Sequence, residues 1–324
     1  MLQEKIFNIQ TPEDFKAVAL EVFNFQYKHV KVYREFCDML KVNPKQITTI
    51  SEIPFLPIQF FKSHQIIAKG YSEETIFTSS GTTGSITSKH YLASTKLYEE
   101  SFNRAFQNQY GKPTDYTILA LLPSYLEREG SSLIYMVDSL IKQSKNQHSG
   151  FYLNNMDALI EKLTFLEAEG HKTMLLGVSY ALLDLIETQT FQFKNTIVME
   201  TGGMKGRRKE MIKEELHRIL QQGFGVSEIH SEYGMTELLS QAYSTGKGIF
   251  TCPPWMKILT RDTEDPFTYV AKKTGGINVI DLANLYSCSF IATQDLGKLH
   301  TNNSFEVLGR FDDSDIRGCN LMVL

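Results

Sequence analysis

Cysteine is scarce and scattered: Cys37, Cys252, Cys288 and Cys319 are its only occurrences, and no two have CxxC spacing. A disulfide framework and a cysteine zinc site are thereby excluded. The sparse usage fits a reducing compartment. Excess positive charge is also lacking, since 33 Lys and Arg stand against 37 Asp and Glu for a formal net charge of −4. Nucleic acid is therefore not an expected partner. The one short basic cluster, Lys205, Arg207, Arg208 and Lys209, reads as a solvated helix start. No apolar run reaches the roughly 18 residues of a membrane helix, so no membrane span is expected. The opening Met1-Leu2-Gln3-Glu4-Lys5 leads into polar residues rather than an apolar core, so no secretion signal is expected. The expected location is the cytoplasm. Also missing are a Gly-Lys-Ser/Thr phosphate loop, a Gly-x-Ser-x-Gly nucleophile elbow, and histidines at metal-ligand spacing. His64, His90 and His230 read as local hydrogen-bonders.

What is present reads as a globular α/β chain. Thr11-Pro12-Glu13-Asp14 has the chemistry of a helix start: a capping hydroxyl, a proline suited to the first turn, and acids at the positive end. Phe15, Val18, Ala19, Val22 and Phe23 then recur at helical spacing, and the helix is expected to continue to Leu40. The prolines of Ile53-Pro54-Phe55-Leu56-Pro57 force an extended segment. Beyond Thr75–Thr78, a short strand, strands and helices alternate. Strands are expected at Tyr116–Leu122, Thr173–Leu176 and Thr196–Met199. Helices are expected at Ser132–Ile141, at Tyr180–Glu187, and through Met211, Ile212, Leu216, Ile219 and Leu220 to a stop at Gly223. That alternation predicts mostly parallel sheet with flanking helices. From about Thr251 the segments shorten, as in Gly276–Ile280 and Cys288–Ala292. A single domain is expected, with an α/β part over 1–250 and a β-rich part with a C-terminal tail over 251–324.

Two segments are candidates for chemistry. Ser79-Ser80-Gly81-Thr82-Thr83-Gly84 combines hydroxyls, backbone N–H groups and glycines. Such a loop can cradle phosphate oxygens, and the same composition serves a flexible linker. In His230-Ser231-Glu232-Tyr233-Gly234-Met235-Thr236-Glu237, Tyr233 can stack on a base, Thr236 can touch a phosphate and Glu237 can hold Mg²⁺. Alternatively Glu237 caps a helix over Leu238–Gln241. Free cysteines are usually inert small hydrophobes. Cys319 differs in its polar, charged surroundings, with Asp313, Asp315, Arg317 and Gly318 before it.

These two segments, in this order, resemble signature motifs of the adenylate-forming superfamily, which includes acyl-CoA synthetases, luciferases and peptide-synthetase adenylation domains. Thr293-Gln294-Asp295-Leu296-Gly297 resembles that family's Thr-Gly-Asp segment, and Leu308-Gly309-Arg310-Phe311-Asp312-Asp313 its Gly-Arg-x-Asp segment. Further segments extend the likeness to the acyl-protein synthetase (LuxE-type) family. They are Ile53–Pro57 before Phe60-Phe61-Lys62, Leu122-Pro123-Ser124-Tyr125-Leu126-Glu127-Arg128, Glu200-Thr201-Gly202-Gly203-Met204-Lys205-Gly206 and Arg317-Gly318-Cys319.

The resemblance implies the large N-terminal domain of the adenylate-forming fold and an ATP-dependent acid–thiol ligase. It implies ATP and Mg²⁺ as cofactors, a fatty or other carboxylic acid as substrate, and an acyl-CoA-reductase-type protein as partner. Ser79, Ser80, Gly81, Thr82, Thr83 and Gly84 would hold the ATP phosphates. Gly202 and Gly203 would let adenine approach the backbone. Tyr233, beside Gly234, would stack on adenine, Thr236 would bind the α-phosphate and Glu237 would hold Mg²⁺. Asp295 and Arg310 would fix the ribose, and Cys319 would accept the acyl group. Rival expectations are an acyl-CoA or carrier-protein ligase, and a non-catalytic subunit that binds ATP or an acyl-adenylate. The sequence departs from the family pattern in three ways. Gly84-Ser85-Ile86-Thr87-Ser88-Lys89 replaces Gly-x-Pro-Lys, and Gln294 replaces a glycine. The small C-terminal domain with its lysine is expected to be absent, which leaves Lys89, Lys205 or Arg207 as candidate replacement cations.

Overall fold

The computed structural model describes residues 1–80, 86–123, 130–202, 208–209 and 211–311. The chain opens with α1 (Leu2–Phe7), α2 (Pro12–His29) and α3 (Lys31–Met39). Thr11 and Asp14 cap α2 reciprocally, the Thr11 hydroxyl accepting from Asp14 N–H and the Asp14 carboxylate from Thr11 N–H. The helix buries Phe15, Val18, Ala19, Val22 and Phe23 as one stripe. It does not run on to Leu40. At Val30 the backbone turns extended (φ −98°, ψ 100°), and the His29 carbonyl accepts from Lys69 N–H instead of continuing the helical ladder. Val30 is buried there, and α3 leaves at a new angle that brings Tyr33 and Cys37 into the core.

The proline-broken segment forms β1 (Leu56–Pro57), followed by α4 (Phe60–Ser63). β1 lies parallel to a later strand, a placement open to proline because Pro57 has no N–H to leave unpaired. A hairpin of β2 (Thr75–Thr78) and β3 (Lys89–Leu92) precedes α5 (Thr95–Tyr110). There follow β4 (Thr117–Leu121), α6 (Ser132–Ser144), β5 (Gly150–Phe151), α7 (Met156–Ala168) and β6 (Thr173–Val178). Next come α8 (Ser179–Thr188), β7 (Thr196–Thr201), α9 (Lys213–Phe224), β8 (His230–Tyr233) and β9 (Ala242–Ser244). Strands β4 to β8 pair in parallel in the order β5-β4-β6-β7-β8, and β9 closes the sheet antiparallel. All of β4 and β6 is buried, as parallel strands covered on both faces require.

α9 does not stop at Gly223. A Cβ there would lie 2.6 Å from the Ile186 side chain, so this glycine serves close packing of α9 on α8. The helix runs on to Phe224 and is capped by Gly225, whose φ of +66° is the left-handed cap conformation.

The second sheet consists of β10 (Ile249–Phe250), β11 (Met256–Arg261), β12 (Thr274–Asp281), β13 (Phe290–Leu299) and β14 (Phe305–Arg310). Its order is β10-β14-β13-β12-β11, all antiparallel, with β1 joining β13. The N-terminal helices pack on this sheet. The buried Gln26 side chain donates to the carbonyls of Asn284 and Leu285 and accepts from Ser289 N–H, and the Tyr33 ring stacks on Phe290 at 6.0 Å. None of the described helices is long and apolar enough to cross a membrane.

Candidate nucleotide site

The carboxyl ends of β7 and β8, the Ser79 and Ser88 end of the β2–β3 hairpin and the adjoining strands β13 and β14 converge on one region. The ends of parallel strands are where open α/β sheets bind ligands, because the loops that leave them face outward together.

The centre is built on Asp295. It sits mid-strand in β13, directly opposite Arg310 on β14. Arg310 Nε donates to Asp295 Oδ1 at 3.1 Å, and the Tyr233 hydroxyl donates to Oδ2 at 2.8 Å. Tyr233 thus reaches from the end of β8 to the second sheet. Its ring is buried, packed edge-on against Phe250 and Phe305 at 5.9 and 5.5 Å. Burial pushes the phenol well above its ordinary range, and the Asp295 charge adds to this, so the hydroxyl stays a donor.

Past Tyr233 the chain forms no helix over Leu238–Gln241, which removes the helix-cap reading of Glu237. Instead the segment is pinned from behind. Asp281, fully buried, accepts from Leu239 N–H (2.7 Å), Ser240 N–H (2.9 Å) and Ser240 Oγ (2.5 Å). Asn284 Nδ2 donates to the Glu237 carbonyl at 2.8 Å. The Glu237 carboxyl is itself buried. Burial pushes its pKa up, while the Ser88 hydroxyl and the Arg310 charge pull it down. Thr236 is partly exposed.

The hairpin supplies the other wall. Ser79 N–H donates to the Ser88 carbonyl at 3.1 Å, and Ser88 N–H donates to Ser79 Oγ at 2.9 Å. Ser79 is therefore engaged within the hairpin, whereas Ser80 is exposed. Gly81, Thr82, Thr83 and Gly84 lie outside the described residues, as do Gly203, Lys205, Arg207 and Cys319. Gly202 is described: it leaves β7 with φ +68°, a left-handed turn that favours glycine, and its carbonyl accepts from Ser179 Oγ at 3.0 Å. Arg208 is ion-paired to Asp184 and Glu187 of α8, which places it away from any ligand role. Lys89 lies on the hairpin's outer face, where it lines a surface cleft of about 480 Å³ with Lys62, His64 and Tyr91.

Sequence reasoning missed the buried groups behind these positions. His90 is not a local hydrogen-bonder. Its Nδ1 meets the Thr236 carbonyl, 146 residues away, at 2.8 Å. Asp281 and Asn284 interrupt an otherwise apolar stretch from Val279 to Leu285, a pattern that could have flagged them. Glu200 and Glu232 are two further buried acids, on neighbouring strands β7 and β8. Burial alone would push Glu200 up, but Lys213 at 2.5 Å, helped by His217, holds it down at about 2. Among the described residues no such cation contacts Glu232, and burial pushes it up to about 7 against the Thr201 hydroxyl that donates to it at 2.5 Å.

The Glu232 shift has a measurable sign. A carboxyl whose pKa is higher folded than unfolded binds a proton in the native state that the unfolded chain releases. Stability is then lost as pH rises from about 4.5 to about 7. Each pKa unit is worth about 1.4 kcal/mol, so the loss is roughly 3 kcal/mol. Glu232→Gln keeps a neutral acceptor for Thr201. Urea unfolding should show it more stable than wild type by roughly 3 kcal/mol at pH 8 and equal to it near pH 4.5. Equal stability at both pH values would mean Glu232 is ionised in the fold.

The residues fit a nucleotide with Mg²⁺. Among the described residues no group of three or more His, Cys, Asp and Glu could cage a metal. Mg²⁺ needs no such cage, because it binds through one or two carboxylates with phosphate oxygens and waters. Glu237 supplies one buried carboxylate of that kind.

Comparison with known proteins gives likenesses of family and of fold. The family described as acyl-protein synthetase, LuxE matches residues 7–117. A long-chain-fatty-acid–luciferin-component ligase of Photorhabdus luminescens is 40% identical over 70 residues, which span 21% of this chain and 60% of that relative. Among solved structures, 2-hydroxyisobutyryl-CoA ligase in complex with 2-HIB-AMP and CoA superposes with a TM-score of 0.69 at 11% identity, over 94% of this chain and 72% of that one. ATP-bound MatB from Rhodopseudomonas palustris gives 0.54 at 19% identity over 72% of this chain, which spans only about half, 47%, of MatB. The likeness to both structures is one of fold. The chain is built on the fold of the adenylate-forming enzymes, and residues 7–117, about its first third, match the acyl-protein synthetase, LuxE family.

Proposed function

We infer that this protein activates a carboxylic acid, a long-chain fatty acid in particular, as its acyl-adenylate at the expense of ATP. The observation that carries the reading is the Tyr233–Asp295–Arg310 cluster beside the buried Glu237, at the carboxyl ends of β7 and β8 and against the hairpin that bears Ser79 and Ser80. In the first step a substrate carboxylate oxygen attacks the α-phosphorus of ATP, and the bond to the departing pyrophosphate breaks. Two anions must meet, so positioning and charge neutralisation dominate. Asp295 can accept from the ribose hydroxyls, Arg310 faces the same space, and Gly202 permits close approach of the base. The Ser79–Gly84 loop and Thr236 would hold phosphate oxygens. Bound Mg²⁺ would neutralise phosphate charge, with Glu237 as its protein ligand.

In the second step a thiolate attacks the acyl carbon, and the bond to AMP breaks. Burial pushes the thiols of Cys37, Cys252 and Cys288 above their ordinary value, to about 12 for Cys37, which makes all three poor thiolates at neutral pH. That supports Cys319 as the acceptor, from which a reductase-type partner would draw the acyl group. The relatives add support: the Photorhabdus protein is named a fatty-acid ligase, and the structural neighbours hold ATP or an acyl-AMP.

The test is ATP–pyrophosphate exchange with Mg²⁺ across a panel of fatty and aryl acids. Exchange is expected only when an acid is present, and fastest with long-chain fatty acids. ATP binding without exchange for any acid would overturn adenylation in favour of a non-catalytic nucleotide-binding role. Transfer is read as a hydroxylamine-labile acyl group on the protein. Cys319→Ser is expected to lose it, and an adduct that survives the substitution would put the acyl group elsewhere.

A further inference from the structure

Along β3 alternate side chains face opposite ways. Lys89 and Tyr91 look out to the surface cleft, while Ser88 and His90 are buried on the inner face. The Ser88 hydroxyl lies close enough to the Glu237 carboxyl to draw its pKa down. His90, fully buried, sets Nδ1 2.8 Å from the Thr236 carbonyl and Nε2 3.0 Å from Asn284 Oδ1. The identity of that last oxygen is fixed by its amide partner. Asn284 Nδ2 lies 2.8 Å from the carbonyls of both Glu237 and Cys288, and only the nitrogen of the amide can donate to two carbonyls. Both partners of the imidazole are therefore acceptors, and burial lowers its pKa to about 4, so it is neutral and has a single N–H to give. With that proton on Nδ1, His90 donates to the Thr236 carbonyl while the adjacent Asn284 amide donates to the Glu237 carbonyl. One of those side chains belongs to the strand that emerges from the Ser79–Gly84 loop. Phe61 closes the pocket, edge-on to the imidazole at 5.6 Å.

We propose that His90 is a positioning residue that, with Asn284, fixes the Thr236–Glu237 backbone against the β2–β3 hairpin, so that the two walls of the nucleotide site are held in one register. Nothing else among the described hydrogen bonds links a β3 side chain directly to the backbone of this segment. A wall that shifts by an ångström loses its hold on a phosphate–metal unit, whereas ATP alone depends less on Glu237. The proposal rests on the nucleotide reading above, and its consequence for backbone mobility can be tested without it.

The experiment compares full-length wild type with His90→Leu, His90→Gln and Asn284→Asp. Leucine fills similar space and donates nothing. Glutamine keeps an amide nitrogen able to donate to the Thr236 carbonyl. Asn284→Asp keeps the shape but withdraws the two donated hydrogen bonds, and it serves in place of His90→Leu should that variant not fold. Amide hydrogen exchange over residues 235–241 is measured without ligand, and affinity for ATP by calorimetry with and without Mg²⁺. His90→Leu and Asn284→Asp are expected to speed exchange about tenfold and to weaken Mg·ATP binding about tenfold, with Mg-free ATP little changed; His90→Gln stays within about threefold on each. Unchanged exchange in either donor-lacking variant overturns the proposal. So does an equal loss in His90→Leu and His90→Gln, which would make His90 a packing residue. If the exchange pattern is as expected but wild type binds no ATP, the nucleotide reading falls and the tie between hairpin and loop stands.

Discussion

Glu237→Gln will reduce acid-dependent ATP–pyrophosphate exchange by about 10²–10³-fold, the loss typical when one preorganised electrostatic group is removed from a reacting site. The substitution keeps the size of the side chain and deletes only its charge. It will also move stability the other way. A carboxylate this buried is costly, and here burial outweighs the help from Ser88 and Arg310, so the pKa is raised. A neutral amide removes that cost, and the ligand-free variant is expected to melt at or above the wild-type temperature. Loss of exchange with unchanged or higher melting temperature is the signature of a functional group held at the expense of stability. The check is exchange kinetics with a Mg²⁺ titration, beside a thermal melt. A variant that exchanges like wild type would show that Glu237 holds no metal.

Asp281→Ala carries the largest expected loss of stability. One fully buried carboxylate satisfies Leu239 N–H, Ser240 N–H and Ser240 Oγ. Ser240 Oγ lies in turn 3.0 Å from both Ser101 Oγ and the Trp255 indole nitrogen. Removal orphans those donors in a place that water does not reach. At about 1–3 kcal/mol for each unsatisfied group, the total is roughly 3 kcal/mol or more. Denaturant unfolding measures it. Asp281→Asn, which keeps one acceptor oxygen, is expected to lose less than half as much. A neutral result for alanine would mean that the segment after Glu237 finds other partners.

Much of this architecture was legible in the residues. The capping chemistry of Thr11–Asp14, the alternation of strands and helices from Thr117 to Phe224, and the short strands after Thr251 all follow from local pattern. The departures have physical causes that act at a distance. Val30 breaks a helix because its own burial and a bond from Lys69 favour an extended backbone. Gly223 sits inside a helix because Ile186 leaves no room for a side chain. Of the candidate site, Tyr233, Asp295 and Arg310 stood out as motif residues, and the fold brings Tyr233 and Arg310 onto the two carboxylate oxygens of Asp295. Their buried supports did not stand out. His90, Asp281 and Asn284 matter through partners far away in sequence, and spacing along one chain carries no trace of such pairings.

Leu56 pairs with Ile291 and Pro57 with Ala292, across more than 230 residues of chain. During synthesis the segment holding β1 leaves the ribosome long before the strand it must join, and the helices that cover that strand wait with it. At about 5–20 residues per second, the interval is on the order of ten seconds or more. For that time Tyr33, Phe55 and Phe23 lack Phe290, the ring on which all three pack. The nascent N-terminal segment therefore exposes apolar rings for that interval, the condition that chaperones answer.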